Sequence, residues 1–327
     1  MTSYILRRIL YMFPTLFLIS IIVFIVIQLP PGSWVDSYVA QLQQTGGTVS
    51  ESQISSLKER YGLGEPVYIQ YFKWVKGWPF LDFGVSFEYN QSVFSLIADR
   101  LLLSVVIAVS TLLFVYAFSI PVAVYAATHQ YSVGDNIVTL AGFLGLSIPN
   151  FMLALVLMYV FFQFFGITPG GLFSPEFEGA AWSWGKLIDL SKHIWLPIIV
   201  VGTAGTASTI RVLRGTMLDE LGRDYVQVAR AKGLENWKVV FKHVLRVAIN
   251  PIISRIIWEL PRIVSGATIT AVVLSLPILG GMLLTSLQVQ DMYLAGTIIF
   301  FQSVLVVIGG VISDVLLAVA DPRIRYE

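Results

Sequence analysis

Six stretches of the chain, roughly 9–29, 102–127, 137–165, 194–213, 249–275 and 294–319, are apolar without a sustained polar face. A helix needs about 20 mostly apolar residues to cross the hydrocarbon of a bilayer, and a soluble amphipathic helix would keep one side polar. The pattern predicts an all-α integral membrane protein with six transmembrane helices. The fourth stretch is the least apolar. Its run from Gly202 to Ser208 consists of small residues, and lipid-embedded helices associate by close packing at such residues. It is expected to sit inside the bundle.

Polar positions gather in three places. Residues 30–100 form a long loop after the first span, with turn signals at Pro30-Pro31-Gly32 and Thr45-Gly46-Gly47. A helical run covers 50–61, where Ser50 and Gln53 fit a capping box. Residues 166–193 are rich in Gly, Pro and Trp, and Trp182, Trp184 and Trp195 fit an aromatic belt at a membrane interface. The third place is the segment between spans four and five. The expected organisation is 1–29 as tail and first helix, 30–100 as extracytoplasmic loop region, and 101–327 as a five-helix core.

Composition agrees. Only 13% of the 327 residues are charged, against about 25% in soluble domains. There is no cysteine, hence neither a disulfide framework nor a thiolate metal site. A net charge of +1 argues against a nucleic-acid partner. The first apolar run is too long for a signal-peptide core and lacks a small-residue cleavage site. Arg7 and Arg8, then Arg211, Arg214, Arg223, Arg230, Lys232, Lys238, Lys242 and Arg246, then Arg323 and Arg325 fall on one side of the six-span arrangement. By the positive-inside rule, in which long loops count little, both termini are cytoplasmic.

The cytoplasmic segment RDYVQVARAKGLENWKVVFKHVLRVAINP (223–251) carries its own pattern. A helix over 224–232 should stop at Gly233, a natural left-handed position after a helix. A second runs from about Asn236 to Val247, with Trp237, Val240, Phe241, Val244 and Leu245 on one apolar face and Lys238, Lys242 and Arg246 on a basic one. Such an element either lies on anionic lipid or docks a partner protein in a groove.

GRDYVQVARAKGL followed by KHVLRVAINP resembles the EAA loop of binding-protein-dependent ABC importer permeases, in particular the dipeptide/oligopeptide permease family. YILRRIL, the PPG at 30–32, YGLGEPVYIQYFKWV, DFGVSF, SIPNFMLAL and DPRIRYE resemble the same family in the same order, over essentially the whole chain. The resemblance implies a type I importer permease whose loop 215–250 bears a coupling helix that docks on an ATPase subunit. The residues it assigns to that docking are Asp224, Tyr225, Ala229, Ala231, Lys232, Gly233, Leu234, Trp237 and Phe241. Gln227, Val228 and Ala229 stand where the general motif has Glu-Ala-Ala, so no charged contact is expected from position 227. The implied partners are a second homologous permease, two ABC ATPases holding ATP and magnesium, an extracytoplasmic binding protein and membrane lipid, in a bacterial or archaeal plasma membrane. No cofactor is implied for this chain.

No GxxxxGK[ST] is present, so a P-loop must belong to another polypeptide. His129, His193 and His243 are scattered, and neither HExxH nor GxSxG occurs. No catalytic residue is expected. Arg255, Glu259 and Arg262 stand apart as ionisable residues in the fifth span, spaced to meet on one helical face. They are either a self-satisfied ion cluster near the cytoplasmic mouth or a polar patch on the translocation path. Arg211 and Arg214 read as positive-inside anchors, and Asp314 as reaching the interface near the last span's end. A stand-alone secondary transporter is disfavoured by the lack of an internal repeat. Peptides are the first expectation for substrate and oligosaccharides the alternative.

Overall fold

In the computed structural model, residues 2–29, 32–44, 50–60, 64–266 and 268–320 are described. Among them there is no β-strand, only an isolated antiparallel bridge between Val85 and Ser92. The turn signals at Pro30-Pro31 and Thr45-Gly46-Gly47, the first residues of YGLGEPVYIQYFKWV and the terminal DPRIRYE with Arg323 and Arg325 lie outside the described residues, as does the side chain of Gln53.

The helices, in chain order, are α1 (Thr2–Gln28), α2 (Trp34–Gln44), α3 (Glu51–Arg60), α4 (Val67–Lys76), α5 (Val93–Thr128), α6 (Val133–Ser147), α7 (Asn150–Phe165), α8 (Trp184–His193), α9 (Trp195–Leu221), α10 (Asp224–Ala231), α11 (Asn236–Lys238), α12 (Leu245–Ala248), α13 (Asn250–Gly266), α14 (Thr268–Val273), α15 (Leu279–Gln288) and α16 (Met292–Ala320). Four are long and apolar enough to cross a bilayer: α1, α5, α9 and α16. The α6–α7 pair counts as a fifth if taken as one broken span.

That pair departs from the expected uninterrupted helix over 137–165. It is bent by 103° at Ile148-Pro149. Pro149 supplies no N–H and crowds the residue before it, and Ile148 is extended at φ −87°, ψ 120°. The expected fifth span covers α13 and α14, which lie on either side of residue 267, itself outside the described residues.

The chain divides into two compact units. The first comprises Met1–Ile9, Val105–Leu276 and Val306–Glu327. Here α9 is the central helix: 61% of its apolar window is buried, against at most 33% for the other three long helices. The small residues explain it. A Cβ on Gly145 of α6 would lie 3.2 Å from Thr203 Cγ2 and 3.3 Å from the Ala207 Cβ of α9. The Ser119 hydroxyl of α5 donates to the Thr206 carbonyl at 3.2 Å. A buried cluster of Ala123, Val124, Leu213, Met217, Val226, Val240 and Val244 continues this packing toward the 223–251 segment.

The second unit comprises Leu10–Ser104 and Pro277–Leu305. Its core is aromatic, with Phe24, Trp34, Trp74 and Phe87 buried around Met292. Trp74 lies against Gly296, where a Cβ would come within 3.1 Å of the indole. Its Nε1 donates to Thr297 Oγ1 at 3.3 Å. Asp291, fully buried, precedes α16 and accepts from the Leu294 N–H at 3.2 Å, the Glu88 N–H at 3.1 Å and the Ser86 hydroxyl. Burial pushes its carboxyl up and these donors pull it down, with burial prevailing. Asp291 thus ties residues 86–88 to the start of α16.

The loop 166–183 is fastened to α8. Ser174 gives both its N–H and its hydroxyl to Asp189 at 2.7 Å. Burial raises the Asp189 carboxyl, but these bonds and the nearby His193 and Lys192 bring it below its ordinary value. Trp182 packs edge-on against Phe173, and the Lys186 ammonium lies 5.1 Å from the Trp182 ring. Trp182 therefore works inside this loop, while Trp184 is exposed as an interfacial residue would be.

Candidate functional site

The segment after α9 turns twice. Leu221 ends α9, and α10 begins at Asp224, whose carboxylate in the first turn complements the helix dipole. α10 closes at Gly233 with φ +76°. The Gly233 N–H donates to the Arg230 carbonyl at 2.9 Å, and the Leu234 N–H reaches the Ala229 carbonyl at 3.3 Å. This pair of bonds is the Schellman motif, which satisfies carbonyls at a helix end. No atom lies within 4 Å of a Cβ built on Gly233, so its backbone conformation, not space, calls for glycine.

The second helix differs from the expected α-helical face. Val239–Val244 form a π-helical turn between α11 and α12. Five-residue spacing moves Val239 and Val244 onto the buried side together with Val240, all three at 3% exposure or less. Trp237 and Phe241 are left outside at 61% and 53%. The single apolar stripe is therefore split. The valines anchor the segment in the core, and the two aromatics face away from it. A π turn of this kind often marks a functional position.

Trp237 is held in this outward pose. Its Nε1 donates to Glu235 Oε2 at 3.0 Å, and the same oxygen takes Lys238 Nζ at 2.7 Å. Residues 230–238 are all exposed. Asp224, Tyr225, Ala231, Lys232, Gly233, Leu234, Trp237 and Phe241 thus share an exposed elbow, and Val228 adds an apolar residue that sequence reasoning missed. Ala229 does not join them, being 7% exposed within the core cluster. The Tyr225 hydroxyl donates to Glu220 Oε2 at 2.7 Å. Burial and that carboxylate push it up to about 12, so it remains a donor at every physiological pH.

A second constellation lies on α13. Arg255 Nη2 sits 3.5 Å from Glu259 Oε1 and donates to Ser208 Oγ at 3.0 Å, while Arg262 Nε sits 3.6 Å from Glu259 Oε2. All three meet on one face, as their spacing predicts. Glu259 is 5% exposed. Glu259 and Arg262 also line a cavity of about 240 Å³ with Thr111, Asn150, Gly205 and Ser208. Among the described residues, no group of three metal-ligating side chains converges.

Sequence reasoning missed one ion pair. Arg214 is not simply a positive-inside anchor. It binds Asp135 bidentately, Nε to Oδ1 at 2.6 Å and Nη2 to Oδ2 at 2.7 Å. Asp314 pairs with Arg8 at 3.1 Å.

Residues 119–326 match the family described as binding-protein-dependent transport system inner membrane component, and residues 1–110 match its N-terminal counterpart. The chain belongs to this family. The oligopeptide transport system permease protein AppB of Bacillus subtilis is 33% identical over the full length of both chains. The dipeptide transport system permease protein DppB of Escherichia coli K12 and the oligopeptide transport system permease protein OppB of Haemophilus influenzae are each 29% identical, again over the whole of both chains. As an inner membrane component of a binding-protein-dependent transport system, the chain is a multi-pass plasma-membrane permease subunit of an ABC importer. The match extends to the N-terminal third, so the 30–100 region is part of the family's plan and not an appended domain.

Proposed function

We propose that this permease subunit imports oligopeptides or dipeptides, delivered by an extracytoplasmic binding protein and driven by ATP hydrolysis in two partner ATPases that carry ATP and magnesium. The observation that carries the reading is the exposed elbow with outward Trp237 and Phe241, a surface formed for docking. The peptide assignment is supported by the relatives, which are oligopeptide and dipeptide transport system permeases, and oligosaccharide import is the alternative. In this reading 215–250 is the coupling loop. Asp224, Tyr225, Ala231, Lys232, Leu234, Trp237 and Phe241 face the ATPase, while Ala229 and Gly233 hold the elbow's shape. Arg255, Glu259 and Arg262 belong to the translocation path. Six spans are proposed, α6–α7 forming one and α13–α14 another, with both termini cytoplasmic. Residues 1–29, 30–100 and 101–327 are then the first helix, the extracytoplasmic region and the permease core. A second homologous permease completes the pore.

Mild-detergent purification followed by mass spectrometry tests the assembly. A second permease and P-loop ATPases should accompany the chain. A chain that purifies alone in bulk would return the elbow to a lipid-surface role.

Gly233→Val should abolish ATP-driven uptake with normal membrane insertion. A β-branched residue at φ +76° is strained by about 1–3 kcal/mol. Gly233→Asn should retain most uptake, because asparagine tolerates the left-handed region. Equal uptake by wild type and the valine variant would sink the hinge.

A further inference from the structure

We infer that the cavity beside Glu259 and Arg262 is one half of a substrate site, and that it takes the carboxylate end of a peptide. The inference rests on the peptide-import reading above and adds the chemistry of recognition.

Three independent observations converge there. The first is charge. Arg255 and Arg262 face one carboxylate, Glu259, so the cluster carries a surplus positive charge. Arg255 is engaged by Ser208 as well as Glu259. Arg262 Nε lies 3.6 Å from Glu259, an ion-pair rather than a hydrogen-bond distance, and its side chain is 51% exposed beside the cavity. A guanidinium with free donors suits a carboxylate, which it can grip with two parallel bonds.

The second is Thr111. Its side chain is fully buried, lines the same cavity, and its hydroxyl has no hydrogen-bond partner. A buried hydroxyl without a partner is costly, and helix hydroxyls normally find the carbonyl one turn back. A ligand oxygen in the cavity would satisfy it.

The third is the broken span. Asn150, the first residue of α7 after the 103° bend, lines the cavity. Non-helical backbone at membrane depth is tolerated where it borders a polar cavity. Thr111 stands midway along the 36-residue α5, a helix long and apolar enough to cross a bilayer, so the cavity it lines falls within the length of a span. Ionisable groups within a span are functional by default.

The size is informative too. At about 240 Å³ the cavity is below the roughly 300–1,000 Å³ of complete small-molecule pockets. It holds a terminus rather than a whole oligopeptide, and the remainder of the site must come from another subunit.

The test uses the complete importer in detergent and in proteoliposomes. Binding of trialanine and of trialanine amide to the complex without binding protein is measured first. The acid should bind at least about tenfold more tightly than the amide, the value of a charge-assisted bidentate contact. Arg262→Gln should erase that preference, and Arg262→Lys should restore part of it. Thr111→Val should weaken acid binding by about three- to tenfold, with an unfolding midpoint unchanged or raised. A merely structural Arg262 would leave the acid–amide ratio untouched. Equal binding of acid and amide by the wild type, or a preference that survives Arg262→Gln, overturns the inference. If Arg262→Gln does not assemble, the threonine variant decides, because an uptake rate and affinity equal to wild type also overturn it. Wild-type vesicles that take up no peptide at all would remove the peptide reading itself, and that outcome is distinct from peptide uptake without carboxylate preference.

Discussion

Replacing Trp237 and Phe241 together with alanine should weaken association of the ATPase subunits with this permease by more than about 100-fold. Two exposed aromatics four residues apart in sequence, at 61% and 53%, have no role in the core of this chain. Aromatic anchors carry a disproportionate share of interface energy, each costing about 2 kcal/mol or more when truncated. The neighbouring valines, 239, 240 and 244, are buried, so the double variant should keep its unfolding midpoint while losing its partner. Titration of nanodisc-embedded permease with the ATPase subunits measures this directly. ATP-driven uptake should fall with the affinity. If binding is unchanged and vesicle partitioning falls instead, the aromatics are lipid anchors. The single variants should show which of the two sits nearer the centre of the contact.

The elbow also shows what could be read from the residues alone. Gly233 was legible as a helix stop, because few residues tolerate φ +76° and the apolar pattern changes there. The start and end of α10 follow from the same local rules. The π turn was not legible. Its effect depends on which valines the remaining core accepts, a tertiary matter that fixed α-helical spacing cannot register. Ala229 was carried to the docking surface by motif, yet the core cluster claims it. The bend at Pro149 was legible in principle, since proline disfavours helix at the residue before it. The continuous hydrophobicity of 137–165 masked that signal. Helical spacing brought Arg255, Glu259 and Arg262 together, as the structure has them. It had no means of finding Thr111, which belongs to another helix and has no motif.

The same limit hid the Asp135–Arg214 pair, whose members lie 79 residues apart, and that pair supports the second large prediction. Asp135→Ala should destabilise the permease by about 1.5–3 kcal/mol, the value of hydrogen bonds to a charged group, since the Arg214 left behind is 24% exposed. Asp135 is 2% exposed and accepts three donors: Arg214 Nε, Arg214 Nη2 and the Tyr131 N–H at 2.9 Å. The Tyr131 bond matters separately, because Tyr131 sits at φ +62°, a conformation uncommon for a non-glycine residue. The helix cap is spared, since Ser132 Oγ accepts from the Asp135 backbone N–H, which alanine retains. The loss is therefore assignable to the carboxylate. Thermal unfolding in detergent should show a midpoint lower by several degrees for Asp135→Ala and for Arg214→Met. The double variant Asp135→Leu, Arg214→Met should recover most of the loss, because well-packed apolar residues replace a buried pair at little cost. A double variant as unstable as the sum of the singles would mean that the two residues act independently. The α6–α9 contact would then rest on its small-residue packing alone.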